Sequence, residues 1–474
     1  MSEVTDAEEE SAPGSGASKD TDPDAGSGKP PRFPRMHAFL ARHEFLTSVM
    51  KVMSGTGLAQ LVAALGTLYV THNIDPTDWG LYGAVISAAQ FVIPVAALRY
   101  DMAIVLPRED GEAKRIFRLA TMINAIMSIL SMLVMIPLGG VLSNALDHPE
   151  ARWWMLGVGP IIFTYGEVYV VNYWANRRKQ FGVIGTNAVW NQSVTVAGRI
   201  ASCLVGFGAL GQLIATFLGE VAALNNFRTR LGPDLRGIEE DRIPFRLLMR
   251  KYRKMPLLTA PNAIVDAVRQ QGVNMMILFK FSPALYGKFN IAWVLMQIPS
   301  TVINQALSQV FFQKLSVTDA GHMFKAVRQS VIRSFLIGIV PFALLYFLIP
   351  PVLPWLLGDK FAQSAPIAVA LVPWLFVNFI TSPVSNMFIV TRNNGIALAF
   401  AIVYAVVPLG YLSVVNASIE TTIYGMSLVM ALLLAMYIGL ALITARRFDN
   451  KYRDKSADVI AAEEAGITAT QDED

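Results

Sequence analysis

The chain has 474 residues, 54% of them hydrophobic and only 16% charged, with a net charge of +4 at pH 7 and a mean hydropathy of +0.45. Soluble domains carry about 25% charged residues, so this balance excludes an ordinary water-soluble fold. Serial apolar runs near 20 residues, enough to cross a hydrocarbon core of ~30 Å as a helix, imply an all-α polytopic membrane protein, and the ~10-residue alternating segments of a β-barrel do not occur.

In chain order, residues 1–44 come first as a cytoplasmic tail. Its first 31 residues are rich in Gly, Ser, Pro and acids, eight acidic side chains against Lys19 and Lys29. That composition predicts disorder. With no basic n-region and apolar h-region, it does not read as a cleaved signal peptide. Twelve apolar runs follow, near 46–70, 80–100, 115–140, 153–174, 183–206, 210–227, 256–278, 286–310, 330–350, 364–390, 396–415 and 421–445. Pro94 interrupts the second, and Pro373 and Pro383 the tenth; membrane helices tolerate proline because neighbours satisfy the freed carbonyls. The chain ends in a second acidic tail, 447–474. Its last twelve residues hold five acids and no base, and without the two acidic ends the remaining chain carries +15.

The connecting segments alternate in charge. One side carries Arg108, Lys114 and Arg115, then Arg177, Arg178 and Lys179, the long basic 228–254 segment, Lys314 and Lys325, and Arg392. The other side is nearly free of cations, as in "THNIDPTDW", "SNALDHPEAR" and "FGALG". Positive charge marks the cytoplasmic side, so both termini are expected in the cytoplasm. The 229–254 linker divides the spans into two sets of six, 45–228 and 255–446. Two echoes link the sets: "LYGAVISAAQFVIP" (81–94) with "LYGKFNIAWVLMQIP" (285–299), and "NYWANRR" (172–178) with "NMFIVTR" (386–392). Repeats with an even number of spans are parallel, related by an axis along the membrane normal, which suits a transporter with a cavity between two bundles.

Charges within the spans mark candidate sites, since each costs at least ~2.5–3.5 kcal/mol at bilayer depth. They are Arg99 and Asp101, Glu167, Arg199, Glu220, and Asp266 with Arg269. Bland readings compete. Arg99 and Asp101 lie near a span's end and can snorkel to the interface, Asp266 and Arg269 are three apart and can pair along one helix, and Glu220 can bond a neighbouring helix. Arg199 has no acid at i±3 or i±4 and is the strongest single indicator of an electropositive cavity. Arginine suits phosphate because its planar fork binds two oxygens. The carboxylates Asp101, Glu167, Glu220 and Asp266 are candidate carriers of a coupling ion, H+ or Na+.

Other chemistry finds little support. The single cysteine, Cys203, permits no disulfide framework, and the five histidines are scattered, with none at metal-ligand spacing. "GSGASKD" lacks the phosphate-loop spacing, so neither a metal nor another cofactor is expected. The positive-inside pattern accounts for the basic segments, and no nucleic-acid partner is expected.

The blocks "DWGLYGAVISAAQFVIPVAALRYDMAIVLPREDGEA", "NYWANRRKQFGVIGTNAVWNQ", "LMRKYRKMPLLTAPNAIV", "INQALSQVFFQKL" and "PWLFVNFITSPVSNMF" resemble the bacterial oligosaccharide/polysaccharide flippases. These are the Wzx-type branch of the multidrug/oligosaccharidyl-lipid/polysaccharide exporter (MOP) superfamily. The resemblance covers about 45–446, with "RYDMAIVLP" and "QALSQVFF" its most specific parts. It implies two six-helix bundles around a central cavity and the flipping of undecaprenyl-diphosphate-linked oligosaccharide to the periplasmic leaflet, with coupling to H+ or Na+. Polysaccharide polymerase and export machinery would be its partners. The family's cavity cations would fall on Arg99, Arg199 and Arg269, of which only Arg99 lies in a matching block. No enzymatic step is implied. Two other readings stay open: a cation-coupled drug antiporter of the multidrug branch, which needs an acidic cavity, and a polysaccharide polymerase or ligase, which needs a substantial outer loop.

Overall fold

The computed structural model describes residues 34–297 and 321–452, except 386 and 392. The expected disorder of both acidic ends concerns residues largely outside this range. The block "INQALSQVFFQKL" with its Lys314, the end of the eighth predicted span, and Asn386 and Arg392 of the second echo also lie outside the described residues. The chain divides into two compact units, Met1–Thr47 and Ser48–Asp474. The described part of the first is helical; everything below concerns the second.

Among the described residues the structure is helical and contains no strand. Helix α1 is Pro34–Asn73, α2 Pro76–Val92, α3 Tyr100–Ala103, α4 Asp110–Leu146, α5 Ala151–Trp154, α6 Val158–Arg177, α7 Phe181–Val205 and α8 Gly208–Gly237. After the short α9 (Phe245–Lys251) come α10 (Ala260–Lys280) and α11 (283–297). The remainder are α12 (Met323–Leu357), α13 (Ser364–Ser385), α14 (Met387–Val390), α15 (Asn394–Val414) and α16 (Ile419–Tyr452). Among the described residues each of the twelve predicted runs is mainly helical, the eighth as far as residue 297 and the second broken by a turn at 96–99.

Among the described residues seven helical stretches are long and apolar enough to cross a membrane: Pro76–Ala103, Asp110–Asn144, Ala151–Arg177, Met323–Leu357, Ser364–Ser382, Gly395–Val414 and Ile419–Lys451. The protein is a multi-pass membrane protein. Helices α7, α8 and α10 stand outside the seven because they carry polar residues, such as Gln270, Gln271 and Asn274 on α10. Gln271 and Asn274 are buried and hydrogen-bonded inside the molecule.

Helix α8 packs on α7, α6 and α2, and α4 on α6, while α12, α13 and α16 pack together and α10 lies against α15. Contacts between α2 and α10 join the two sets. Lipid tails are as apolar as leucine, so helices associate in a membrane through close packing and hydrogen bonds. The crossing of α2 with α11 shows this: a Cβ on Gly80 would overlap the Pro283 carbonyl oxygen, and one on Gly287 the Pro76 carbonyl oxygen. Only glycine at both positions permits this approach. Beside it, Asp75 pairs with Lys360 at 2.8 Å.

Helix α2 ends where the proline predicts. Pro94 lies in a 3-10 turn, Ile93–Val95, and Leu98 and Arg99 then take left-handed backbone conformations, φ 47° and 62°, before the single turn of α3. Such conformations cost of order 1–3 kcal/mol for residues other than glycine. Arg99 Nη1 donates to the Pro94 carbonyl at 3.2 Å, satisfying an acceptor that a continued helix would have used.

The 229–254 segment is not a free tether. Helix α8 extends to Gly237, and the chain beyond it is strapped along the start of α4. Lys114 donates to the Ile238 carbonyl (2.7 Å) and Arg115 to that of Ile243 (2.9 Å). Glu240 accepts from Arg115 and Arg118, and Lys251 reaches Glu112 at 2.5 Å.

Candidate functional site

Three helix faces built from simple periodicity converge on a cavity of ≈ 360 Å³. Helix α2 presents Trp79, Tyr82, Gly83, Ile86, Ser87 and Gln90, α11 presents Asn290, Trp293, Val294 and Gln297, and α10 presents Gln270, Gln271 and Asn274. These spacings of three and four residues each place a row of side chains on one face. Gln60 and Thr67 of α1 and Arg199 of α7 complete the wall. The volume lies within the range of small-molecule sites, about 300–1,000 Å³. A larger concavity, ≈ 550 Å³ along α12, α13 and α16, is mainly apolar and offers little to orient a polar ligand.

Polar groups in the cavity are held in place by one another. Gln271 donates to Gln90 at 2.7 Å, joining α10 to α2, and Asn274 donates to Gln271 at 3.3 Å. Trp79 Nε1 donates to Asn290 Oδ1 at 3.1 Å, and Ser87 and Tyr286 share a hydrogen bond of 2.9 Å. Trp293 stacks on Trp374 with ring centroids 5.0 Å apart.

Arg199 is the cavity's cation. Its Nη2 donates to the Tyr82 hydroxyl and, at 3.2 Å, to Thr216 Oγ1. Thr216 in turn donates to the Gln212 carbonyl at 2.9 Å. The guanidinium lies 5.1 Å from the Tyr82 ring centroid and 5.7 Å from that of Trp79, and its Nε is buried without a partner. Among the described residues no Asp or Glu lines this cavity.

The other sequence-derived residues lie elsewhere. Arg99 is at the α2 break, bonded to Pro94, with Asp101 buried nearby; neither lines the cavity. Glu167 joins two helices of the first set, accepting from Thr121 (2.8 Å) and Asn124 (3.5 Å). Glu220 is buried in α8 and accepts side-chain hydrogen bonds from Asn191 and Tyr165. Asp266 pairs with Arg269 along α10 at 3.4 Å, and the Arg269 guanidinium sits 5.5 Å from the Tyr404 ring centroid. The three arginines therefore do not converge. Sequence reasoning missed the amide set, whose signal was visible: Gln60, Gln90, Gln270, Gln271, Asn274, Asn290 and Gln297 all lie inside predicted spans, where each uncharged amide still has to find partners.

Comparison with solved structures shows the fold, which is like that of transporters of the MOP superfamily. The chain superposes on an inward-facing multidrug MATE transporter of that superfamily with a TM-score of 0.67 at 14% identity, covering 86% of this chain and 96% of the other. Against the lipid II flippase MurJ in an inward closed conformation the values are 0.66, 12%, 88% and 93%. A third match is a MOP transporter from Pyrococcus furiosus, described as having a binding pocket of reversed polarity, with values of 0.59, 13%, 86% and 96%. No curated protein sequence matches the chain. The model of the polysaccharide biosynthesis protein family matches residues 73–366, and the chain belongs to that family.

Proposed function

We propose that this protein flips undecaprenyl-diphosphate-linked oligosaccharide repeat units from the cytoplasmic to the periplasmic leaflet of a bacterial inner membrane. The observation that carries the reading is the chemistry of the cavity: amides from four helices, two tryptophans, one arginine and no carboxylate among its described lining residues. An amide donates and accepts side by side, matching the paired hydroxyls on a sugar's edge, and tryptophan faces complement its C–H face. Arg199 supplies the one positive charge, suited to a diphosphate or a sugar acid.

In this reading twelve helices cross the membrane as two bundles, 45–228 and 255–446, with the linker and both termini in the cytoplasm. The polyprenyl tail stays in the bilayer while the head group passes through the cavity, and rocking of the bundles exposes it to each side in turn. The Gly80–Gly287 crossing and the Asp75–Lys360 pair form the closure on the periplasmic side. Arg99, at the opposite end of α2, receives the diphosphate, and Arg269 lends charge from α10. Glu220 is the leading carrier of the coupling ion, H+ or Na+, ahead of Asp101, Glu167 and Asp266. Polysaccharide polymerase and export machinery take the product.

The drug-antiporter reading needs carboxylates facing an organic cation, and the lining offers a guanidinium instead. Proteoliposomes under an imposed ion gradient distinguish the two. The expected result is reorientation of undecaprenyl-diphosphate-linked saccharide with no transport of ethidium; ethidium transport without saccharide movement would overturn the proposal.

A further inference from the structure

A second concavity, separate from the central cavity, lies where α1, α7 and α8 meet. It has a volume of ≈ 590 Å³. Its residues on α7 begin at Gly182, just past the basic turn Arg177–Lys179, and end at Ser193, a length of about 16 Å at 1.5 Å per residue. Gly55 and Gly185 touch backbone to backbone at its floor. Leu58 and Trp190 on its wall are 51% and 53% exposed, so the cleft opens sideways through the apolar surface of the helices.

Its one charged group is fixed in direction. Arg230 donates through Nε to Asn226 Oδ1 at 3.1 Å, and Asn226 donates to Asn187 at 2.8 Å, an amide only 3% exposed. Asp234, one turn beyond, is taken by Arg178 through bonds of 2.9 and 2.6 Å. Arg230 forms no ion pair among the described residues. A guanidinium so oriented, over an apolar cleft with an exposed tryptophan, matches a molecule with a phosphate at one end and a hydrocarbon chain at the other.

We propose that this cleft binds an anionic phospholipid of the leaflet that faces the basic segments, phosphatidylglycerol in chemistry. Its phosphate sits on Arg230 and an acyl chain lies along Leu58 and Trp190. Charge selects this occupant: anionic headgroups gather beside basic membrane-proximal residues, and a zwitterionic lipid offers Arg230 no net charge.

The test uses the full chain in nanodiscs and bromine-labelled lipids that quench tryptophan on contact, with Trp190→Phe isolating the contribution of Trp190. Brominated phosphatidylglycerol is expected to quench that contribution about fivefold more effectively than brominated phosphatidylcholine at equal content, the ratio expected for one basic residue near an anionic surface. Arg230→Gln should remove the preference and Arg230→Lys keep part of it. Arg230 is exposed, so both variants retain the fold. Equal quenching by the two lipids, or a preference that survives Arg230→Gln, overturns the proposal. So does relief of quenching by inorganic phosphate, which would mean a site for the free anion, or by undecaprenyl phosphate, which would mean a site for the transported lipid.

Discussion

Arg199 concentrates the physical case at the scale of single residues. Its terminal nitrogen is shared between Tyr82 and Thr216, and its Nε is buried without a partner. Lysine offers a point charge without the planar fork, so Arg199→Lys should lower flipping by at least about tenfold, the lower end of what one charge-assisted hydrogen bond contributes. The reconstituted rate of head-group reorientation, at matched protein content, checks this. Two carboxylates separate by their surroundings. Glu167 is satisfied between α4 and α6 by Thr121 and Asn124, and Glu167→Gln, which keeps an acceptor, should leave the response to an ion gradient unchanged. Glu220→Gln should abolish acceleration by the gradient yet leave downhill equilibration, measured as the flipping rate with and without the imposed gradient. The sequence made Arg199 conspicuous, since no acid stands one turn away. It gave no means of pairing Gln271 with Gln90, because that bond depends on how α10 and α2 meet.

Among the elements, the α2–α11 crossing carries the clearest consequence. Gly80→Val places a side chain against the Pro283 carbonyl and should hold the helices apart there. With Cys203 replaced by alanine, Val294→Cys reports access, since Val294 lines the cavity. A membrane-impermeant maleimide added from the periplasmic side should label it slowly, and several-fold faster once Gly80→Val is added. The linker strap is testable apart from transport. Glu240→Ala removes the partner of Arg115 and Arg118 and should speed proteolytic cleavage within 238–254. The hydrogen bond to Glu112 raises the Lys251 pKa above its ordinary value. Its contribution is therefore complete below about pH 10.4 and is lost as pH rises through the raised value, so proteinase K should cut the strap faster in strong alkali. Element positions were largely legible, as apolar runs fix where helices lie. The docked strap was not: its residues are polar and charged, as those of a free linker would be, and only the pairing of Glu240 with Arg115 and Arg118 and of Lys251 with Glu112 shows where it rests. Pro94 announced the break in α2, whereas the left-handed turn at Leu98 and Arg99 had no glycine to signal it.

For the whole molecule, membership of the polysaccharide biosynthesis family and a fold like that of MOP transporters set the frame, and the proposed substrate class rests on the cavity's amides and single arginine. The echoing segments 81–94 and, as far as residue 297, 285–299 lie on α2 and α11, both of which line the cavity. In the proposed function this cavity handles the head group of a lipid-linked saccharide. The most direct measurement is reorientation of a fluorescently tagged undecaprenyl-diphosphate oligosaccharide in proteoliposomes, comparing the native chain with Arg199→Ala at equal reconstitution. Flipping by the native chain that falls at least about tenfold in the variant is the predicted result; no flipping by the native chain, or an undiminished rate in Arg199→Ala, would contradict it.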